Sequence, residues 1–156
     1  MKVIIKNFQK KIPINPRSIR KTVLNTLSLE GIKKSGGITI CFTNDKQMRE
    51  LNLMYRGQYN PTDVISFDIS ESNKEILADI VISTDTAIRN AKIFKTTHFY
   101  ELYLYVIHGI LHILGYDDKN VIETKKMEKE TNRILTALKL NNNPSISLIR
   151  DTSKTS

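Results

Sequence analysis

The 156-residue chain contains a single cysteine, Cys41, and no apolar run long enough to cross a lipid bilayer. One cysteine excludes a disulfide within the chain, which is typical of proteins of the reducing cytoplasm. The longest apolar stretch, residues 99 to 114, is shorter than the roughly 20 residues of a transmembrane helix and is interrupted by Glu101. The N-terminal residues carry only a short apolar run between lysines, which is not the pattern of a signal peptide. We therefore expect a cytoplasmic protein with no membrane partner.

Acidic residues are scarce in the N-terminal quarter of the chain. Residues 1 to 34 hold nine Lys and Arg but only one acid, Glu30, whereas the remaining 122 residues hold fifteen of each sign. The formal net charge of +8 therefore comes from this quarter. A basic face of this kind suits a phosphate backbone, although solvated lysines on a surface helix would give the same count.

Length and hydrophobic patterning predict one α+β (α/β-like) domain over residues 1–140, followed by a mobile polar tail over residues 141–156. Alternating apolar residues and turn signals predict four strands, at residues 2–6, 37–43, 64–69 and 75–83. Capping residues and helical periodicity predict about five helices, at residues 15–31, 44–54, 83–94, 99–114 and 119–139. We expect a mixed four-stranded sheet covered largely by helices, with the apolar helix at 99–114 in its centre.

The central helix carries two of the three histidines. His108 and His112 are four residues apart, so they lie on one face of the helix and can both reach one metal ion. Gly115 can then end the helix in the left-handed conformation at little cost in conformational energy. The chain can turn back after it, so that Asp118 comes to lie under the same face as the two histidines. Three protein ligands with an open fourth position form the arrangement that a catalytic zinc site requires.

Other interpretations of these residues stay open at this stage. A histidine on an apolar helix is often a core residue, and Asp117 or Asp118 can be the N-cap of the next helix. The spacing resembles that of the metzincin proteases, but the position of their catalytic glutamate is Gly109 here. A peptidase would therefore lack its general base. His98 lies about 15 Å along the helix from His108 and on another face, so we interpret it as a helix-start or surface residue.

A closer resemblance is carried by the block HGILHILGYDD at residues 108–118, which is similar to the HGxLHLxGYDH signature of the YbeY family of bacterial endoribonucleases. Three further segments agree with that family: YRGQYNPTDVISF at 55–67, LADIVIS at 77–83 and MEKETNRIL at 127–135. The matching segments extend over most of residues 44 to 138. One position departs from the family pattern, because its third histidine is Asp118 in this chain.

The resemblance implies a metal-dependent, single-strand-specific endoribonuclease. Its partners would be ribosomal RNA and ribosomal particles, in maturation of the small-subunit 3′ end and in ribosome quality control. His108, His112 and Asp118 would hold one Zn²⁺, and Arg56 would be the catalytic arginine that stabilises charge developing on the phosphodiester. From the residues alone, Arg56 can equally be an exposed turn arginine.

Asp118 in place of histidine has a chemical consequence. A carboxylate can bind zinc, but it adds a negative charge that weakens the ion as a Lewis acid and can favour a harder metal. No residue of the sequence stands out as a general base. Thr62 and Asp63 can support the ligands or cap the turn before a strand, and Tyr116 and Asp117 are either site neighbours or turn residues. A metalloprotease-like hydrolase and a non-catalytic ribosome assembly or RNA-binding factor remain the alternative functions.

Overall fold

The computed structural model describes residues 1–60 and 62–140, so the predicted tail lies outside the described residues. Within that part the chain forms one α+β domain with four strands and five helices, as predicted. The strands are β1 (Lys2–Asn7), β2 (Ser35–Thr43), β3 (Val64–Asp68) and β4 (Glu75–Ser83). The helices are α1 (Pro16–Leu29), α2 (Asp45–Arg56), α3 (Thr84–Phe94), α4 (His98–Ile113) and α5 (Val121–Ala137).

The helix boundaries follow from local capping chemistry. The side chains of Asn15, Asn44 and Ser83 each accept a hydrogen bond from the backbone N–H three residues later. Each of these contacts satisfies an N–H group that would have no partner in the first turn. Helix α5 begins later than predicted because its N-cap is Asn120, whose side chain accepts from the Glu123 N–H at 2.9 Å.

The sheet is mixed, with strand order β1-β2-β4-β3. The pairs β1/β2 and β2/β4 are parallel, and β3 pairs with β4 in an antiparallel hairpin, with Ile65 opposite Val81. Helix α4 contacts β3, β4, α1, α3 and α5, so it is the central helix of the domain. Nearly all of its residues are buried or half-buried, which explains its continuous apolar sequence.

Helix α2 packs apart from this core. Val64 belongs to the main core cluster, whereas the buried residues Met48 and Ile65 lie outside it. Since consecutive strand residues point to opposite faces, Ile65 faces away from the side on which Val64 meets the core. The other apolar residues near the end of α2, Leu53 and Met54, are 50% and 73% exposed. No helix of the described chain is long and apolar enough to span a membrane.

Candidate active site

One cavity of about 290 Å³ brings together all four residues that the sequence predicted for the site. Arg56 reaches it from the end of α2, His108 and His112 from α4, and Asp118 from the loop before α5. The other lining residues come from the entry to β3 and the first turns of α5: Thr62, Asp63, Val64, Thr124, Met127 and Glu128. Residues separated by more than fifty positions in the sequence therefore share one cavity.

His108 is held in the form that can bind a metal. Burial lowers the pKa of its imidazole and is the largest influence on it, the nearby carboxylates of Asp63 and Asp118 raise that pKa, and the proximity of the His112 ring lowers it. Because burial is the largest of these effects, the neutral ring is favoured. The same influences show that Asp63, His112 and Asp118 all lie within electrostatic range of this imidazole.

His112 is oriented by the turn that ends α4. Gly115 has φ of 100°, and the N–H groups of Gly115 and Tyr116 donate to the carbonyls of His112 and Leu111 at 3.1 and 3.0 Å. This is a Schellman ending, and it confirms the predicted glycine turn. It places the Tyr116 carbonyl 3.2 Å from His112 Nδ1. Since a carbonyl can only accept, Nδ1 carries the proton, which leaves the Nε2 lone pair available to a metal.

Asp118 lies on the exposed loop between α4 and α5. Because Asn120 is the N-cap of α5, neither Asp117 nor Asp118 has the capping role that the sequence allowed. Asp117 instead accepts a hydrogen bond from the Asp118 N–H at 2.6 Å and fixes the backbone of the loop. In the part of the chain that the structure describes, no hydrogen bond engages the Asp118 carboxylate.

Arg56 is the last residue of α2, and Gly57 then turns the chain with φ of 69°. The arginine is exposed, as a turn arginine would be, but it also lines the cavity that contains the two imidazoles. Its planar guanidinium can donate two parallel hydrogen bonds to a phosphodiester.

Asp63 has the capping role that the sequence allowed, and it also lies at the cavity. Its carboxylate accepts from the Val64 N–H at 2.8 Å and from the Thr62 hydroxyl at 3.4 Å, so it caps the entry to β3. It also lines the cavity beside His108. Thr124 and Glu128 were not predicted for the site. Their only sequence signal was a spacing of four on the last helix, which a solvent-exposed helix face shares.

Gly109 is the point of closest approach between α4 and the sheet. A Cβ atom built at this position would lie 2.6 Å from Ile80 Cγ2 and 3.2 Å from Val64 Cγ2. A side chain here would collide with these two residues of the sheet. The Ser66 hydroxyl also donates to the Gly109 carbonyl at 2.9 Å and joins β3 to α4. The metzincin glutamate is therefore not only absent but has no room at this position.

Glu101, which interrupts the apolar sequence of α4, is paired with hydroxyl groups. It is 3% exposed and accepts hydrogen bonds from the Thr96 hydroxyl at 2.7 Å and the Tyr105 hydroxyl at 3.1 Å. These hydroxyls satisfy the buried carboxylate. His98 is the first residue of α4, as predicted, and lies outside the cavity lining.

The donor set fits a metal ion in its chemistry, with two imidazoles and one carboxylate at one cavity. Among residues 1–60 and 62–140, however, no three His, Cys, Asp or Glu side chains are close enough to form a ready-made metal site. The imidazoles are fixed by a helix, whereas Asp118 belongs to an exposed loop. Asp118 is thus the donor with the most freedom to move towards the other two.

The fold and the cavity are typical of a small α+β hydrolase with histidine and carboxylate side chains in its active site. More specifically, the chain belongs to the YbeY family, since the family model described as Endoribonuclease YbeY matches residues 4–139. An Endoribonuclease YbeY of Syntrophus aciditrophicus is 41% identical over 83% of this chain and 85% of the relative. An Endoribonuclease YbeY of Geobacter sulfurreducens is 36% identical over 88% of this chain and 96% of the relative.

A solved structure supports the fold. The chain is similar to the solution structure of TM1509 from Thermotoga maritima, with a TM-score of 0.57 and 26% identity over 89% of this chain and 93% of that one. The α+β fold class and the family resemblance read from the motifs are both confirmed. Family membership favours the endoribonuclease interpretation over the metalloprotease one.

Proposed function

We propose that the protein is a metal-dependent endoribonuclease that cleaves single-stranded RNA, with ribosomal RNA as its substrate. The observation that carries this proposal is the single cavity that joins Arg56 to His108, His112 and Asp118 in a chain of the YbeY family. Residues 1–140 would form the metallohydrolase domain. The cellular setting would be the cytoplasm, in maturation of the small-subunit RNA 3′ end and in quality control of ribosomal particles.

His108 and His112 would hold one Zn²⁺ through their ring nitrogens, and Asp118 would complete the set by moving with its loop. When bound, the ion would polarise a phosphoryl oxygen of the substrate. The hydrogen bond from His112 Nδ1 to the Tyr116 carbonyl keeps the opposite nitrogen directed away from the backbone. Arg56 would bind the scissile phosphodiester and stabilise its additional negative charge.

The first test separates metal binding from folding. Purified His112→Ala should lose its zinc, measured by elemental analysis, while its circular dichroism spectrum stays like that of the wild type. His98→Ala is the matched control, because this histidine begins the same helix outside the cavity lining. Stoichiometric zinc in the His112 variant would refute the ligand assignment.

Asp118→His tests the position that departs from the family pattern. This variant should bind zinc more tightly, because imidazole restores the family's third ligand. Weaker zinc binding would show that Asp118 is not a ligand position.

The second test concerns the reaction. Protein of measured metal content is incubated with single-stranded RNA, structured RNA and casein, and we expect cleavage of the single-stranded RNA. Cleavage of casein alone would overturn the nuclease proposal. Binding of RNA without cleavage would favour an assembly factor, an alternative that the exposed, unassembled position of Asp118 keeps open.

A further inference from the structure

A second, larger cavity lies at the opposite end of α2 from the candidate active site. This basic cleft, of about 770 Å³, is formed by the loop after β1, the N-terminal part of α2 and one side of α3. Six of its lining residues are cationic and two are acidic: Lys10, Lys11, Lys46, Arg49, Arg89 and Lys92 against Asp45 and Asp85. Only two of these cations, Lys10 and Lys11, belong to the basic N-terminal quarter.

Both acids of the cleft are already paired within the protein. Asp45 is 8% exposed and accepts from Arg89 Nη1 at 2.7 Å, as well as from the hydroxyls of Ser83 and Thr86. Asp85 accepts from Lys11 Nζ at 2.7 Å and from the Asp45 N–H at 3.0 Å. These contacts neutralise the two carboxylates and hold α2, α3 and the loop after β1 together.

The other four cations of the cleft have no such partner. In the described chain no ion pair involves Lys10, Lys46, Arg49 or Lys92. A concave surface with several unpaired cations attracts a polyanion, because the low-dielectric protein around the cleft focuses the positive electrostatic potential inside it. Such a cleft is suited to successive phosphates of a nucleic acid backbone.

Helix α2 connects the cleft to the active-site cavity. Lys46 and Arg49 line the cleft, and Arg56 lines the other cavity. Positions 46, 49, 53 and 56 are spaced by three or four residues, so they share one face of the helix. Leu53 between them is 50% exposed. The two cavities are therefore joined by one accessible helix face, over a rise of about 15 Å from residue 46 to residue 56.

We propose that the basic cleft holds the phosphodiester backbone of the RNA strand whose neighbouring nucleotides occupy the active-site cavity. The strand would run along the exposed face of α2, with phosphates at Lys46 and Arg49 at one end and at Arg56 at the other. The inference rests on the proposed function in one respect, the choice of RNA as the polyanion.

The test compares two double variants that remove the same charges from different places. Arg49→Gln with Lys92→Gln alters the cleft, whereas Arg17→Gln with Lys21→Gln removes one Arg and one Lys from the exposed surface of α1. The probe is a labelled 2′-O-methyl dodecanucleotide, whose affinity is measured by fluorescence anisotropy at several salt concentrations. Circular dichroism checks that both variants are folded, and Arg49→Lys with Lys92→Arg should retain binding.

The cleft variant should bind the probe about tenfold more weakly than the wild type. Its plot of log affinity against log salt should be less steep by about 1.4, since each phosphate contact on a single strand contributes about 0.7. The α1 control should remain within about twofold of the wild type. Equal losses in both variants, or no loss in the cleft variant, would overturn the proposal.

Two further outcomes distinguish RNA from other polyanions and separate this inference from the proposed nuclease function. Competition by polyglutamate as effective as that by RNA of equal charge would overturn the choice of RNA. Loss of binding in the cleft variant alone, combined with no cleavage of RNA by the zinc-loaded wild type, would support the cleft and refute the proposed nuclease function.

Discussion

Replacement of Gly109 by alanine tests whether α4 is seated on the sheet as tightly as the structure indicates. The new Cβ would lie 2.6 Å from Ile80 Cγ2, a distance that requires the strand or the helix to move. Overpacking of a core costs about 1–3 kcal/mol, and the higher helix propensity of alanine offsets about 1 kcal/mol. Because Ile80 is fully buried in a central strand and Cγ2 is close to its backbone, we expect a net loss of about 1–2 kcal/mol in the free energy of unfolding.

Urea denaturation monitored by circular dichroism measures this loss, and the same substitution in a second background tests its cause. In an Ile80→Ala protein the obstructing methyl group is gone, so Gly109→Ala should become neutral or stabilising by up to about 1 kcal/mol. The same destabilisation in both backgrounds would refute the assignment of the effect to Ile80. A neutral Gly109→Ala substitution in the wild type would show that α4 is not tightly seated.

Three other substitutions test separate parts of the structure. Asp45→Asn should lower the free energy of unfolding by about 2 kcal/mol at neutral pH, because Arg89 loses its charged partner. Although burial alone would raise the pKa of Asp45, hydrogen bonds from Ser83, Arg89 and Thr86 hold it below its usual 3.8. The difference between variant and wild type in urea titrations should therefore be full above that value and disappear as the pH falls through the lower pKa of the folded state; a constant difference would contradict this. Gly115→Ala should cost about 1–2 kcal/mol because of its φ of 100°, and it should weaken zinc binding through His112, whereas unchanged stability would show that the turn relaxes. Arg56→Lys should reduce RNA cleavage about tenfold at unchanged melting temperature, because lysine lacks the planar fork; full activity would refute the role of Arg56.

Much of the local structure could be predicted because it depends on neighbours in the sequence. Asn15 and Asn44 cap helices as expected, and Gly115 ends α4 in the left-handed conformation. The spacing of His108 and His112 was sufficient to predict that both side chains lie on one face of α4, and both line one cavity. These features depend only on residues within one or two helical turns of each other, so they can be predicted from the local sequence.

Features that depend on distant contacts could not be predicted in the same way. The sequence shows that position 109 has no carboxylate that could act as a general base. Only the close packing of Ile80 against Gly109 explains why a glycine is needed there. The pairing of Asp45 with Arg89 joins residues 44 positions apart, and neither has a local pattern that reveals it. The charge count likewise located the positive excess in residues 1–34, whereas Arg49 and Lys92 in the neutral remainder contribute to the basic cleft.

Helix α2 also sets the distance between the basic cleft and the active-site cavity. Its first turn belongs to the wall of one cavity and its last residue to the wall of the other, with uninterrupted α-helix from Asp45 to Arg56 between them. The distance between the two cavities is therefore determined by the number of residues in α2 and not by how either cavity is packed. Inserting one extra turn would lengthen this distance by about 5.4 Å. In the proposed RNA complex, the scissile phosphodiester would then lie farther along the strand from the nucleotides held in the basic cleft.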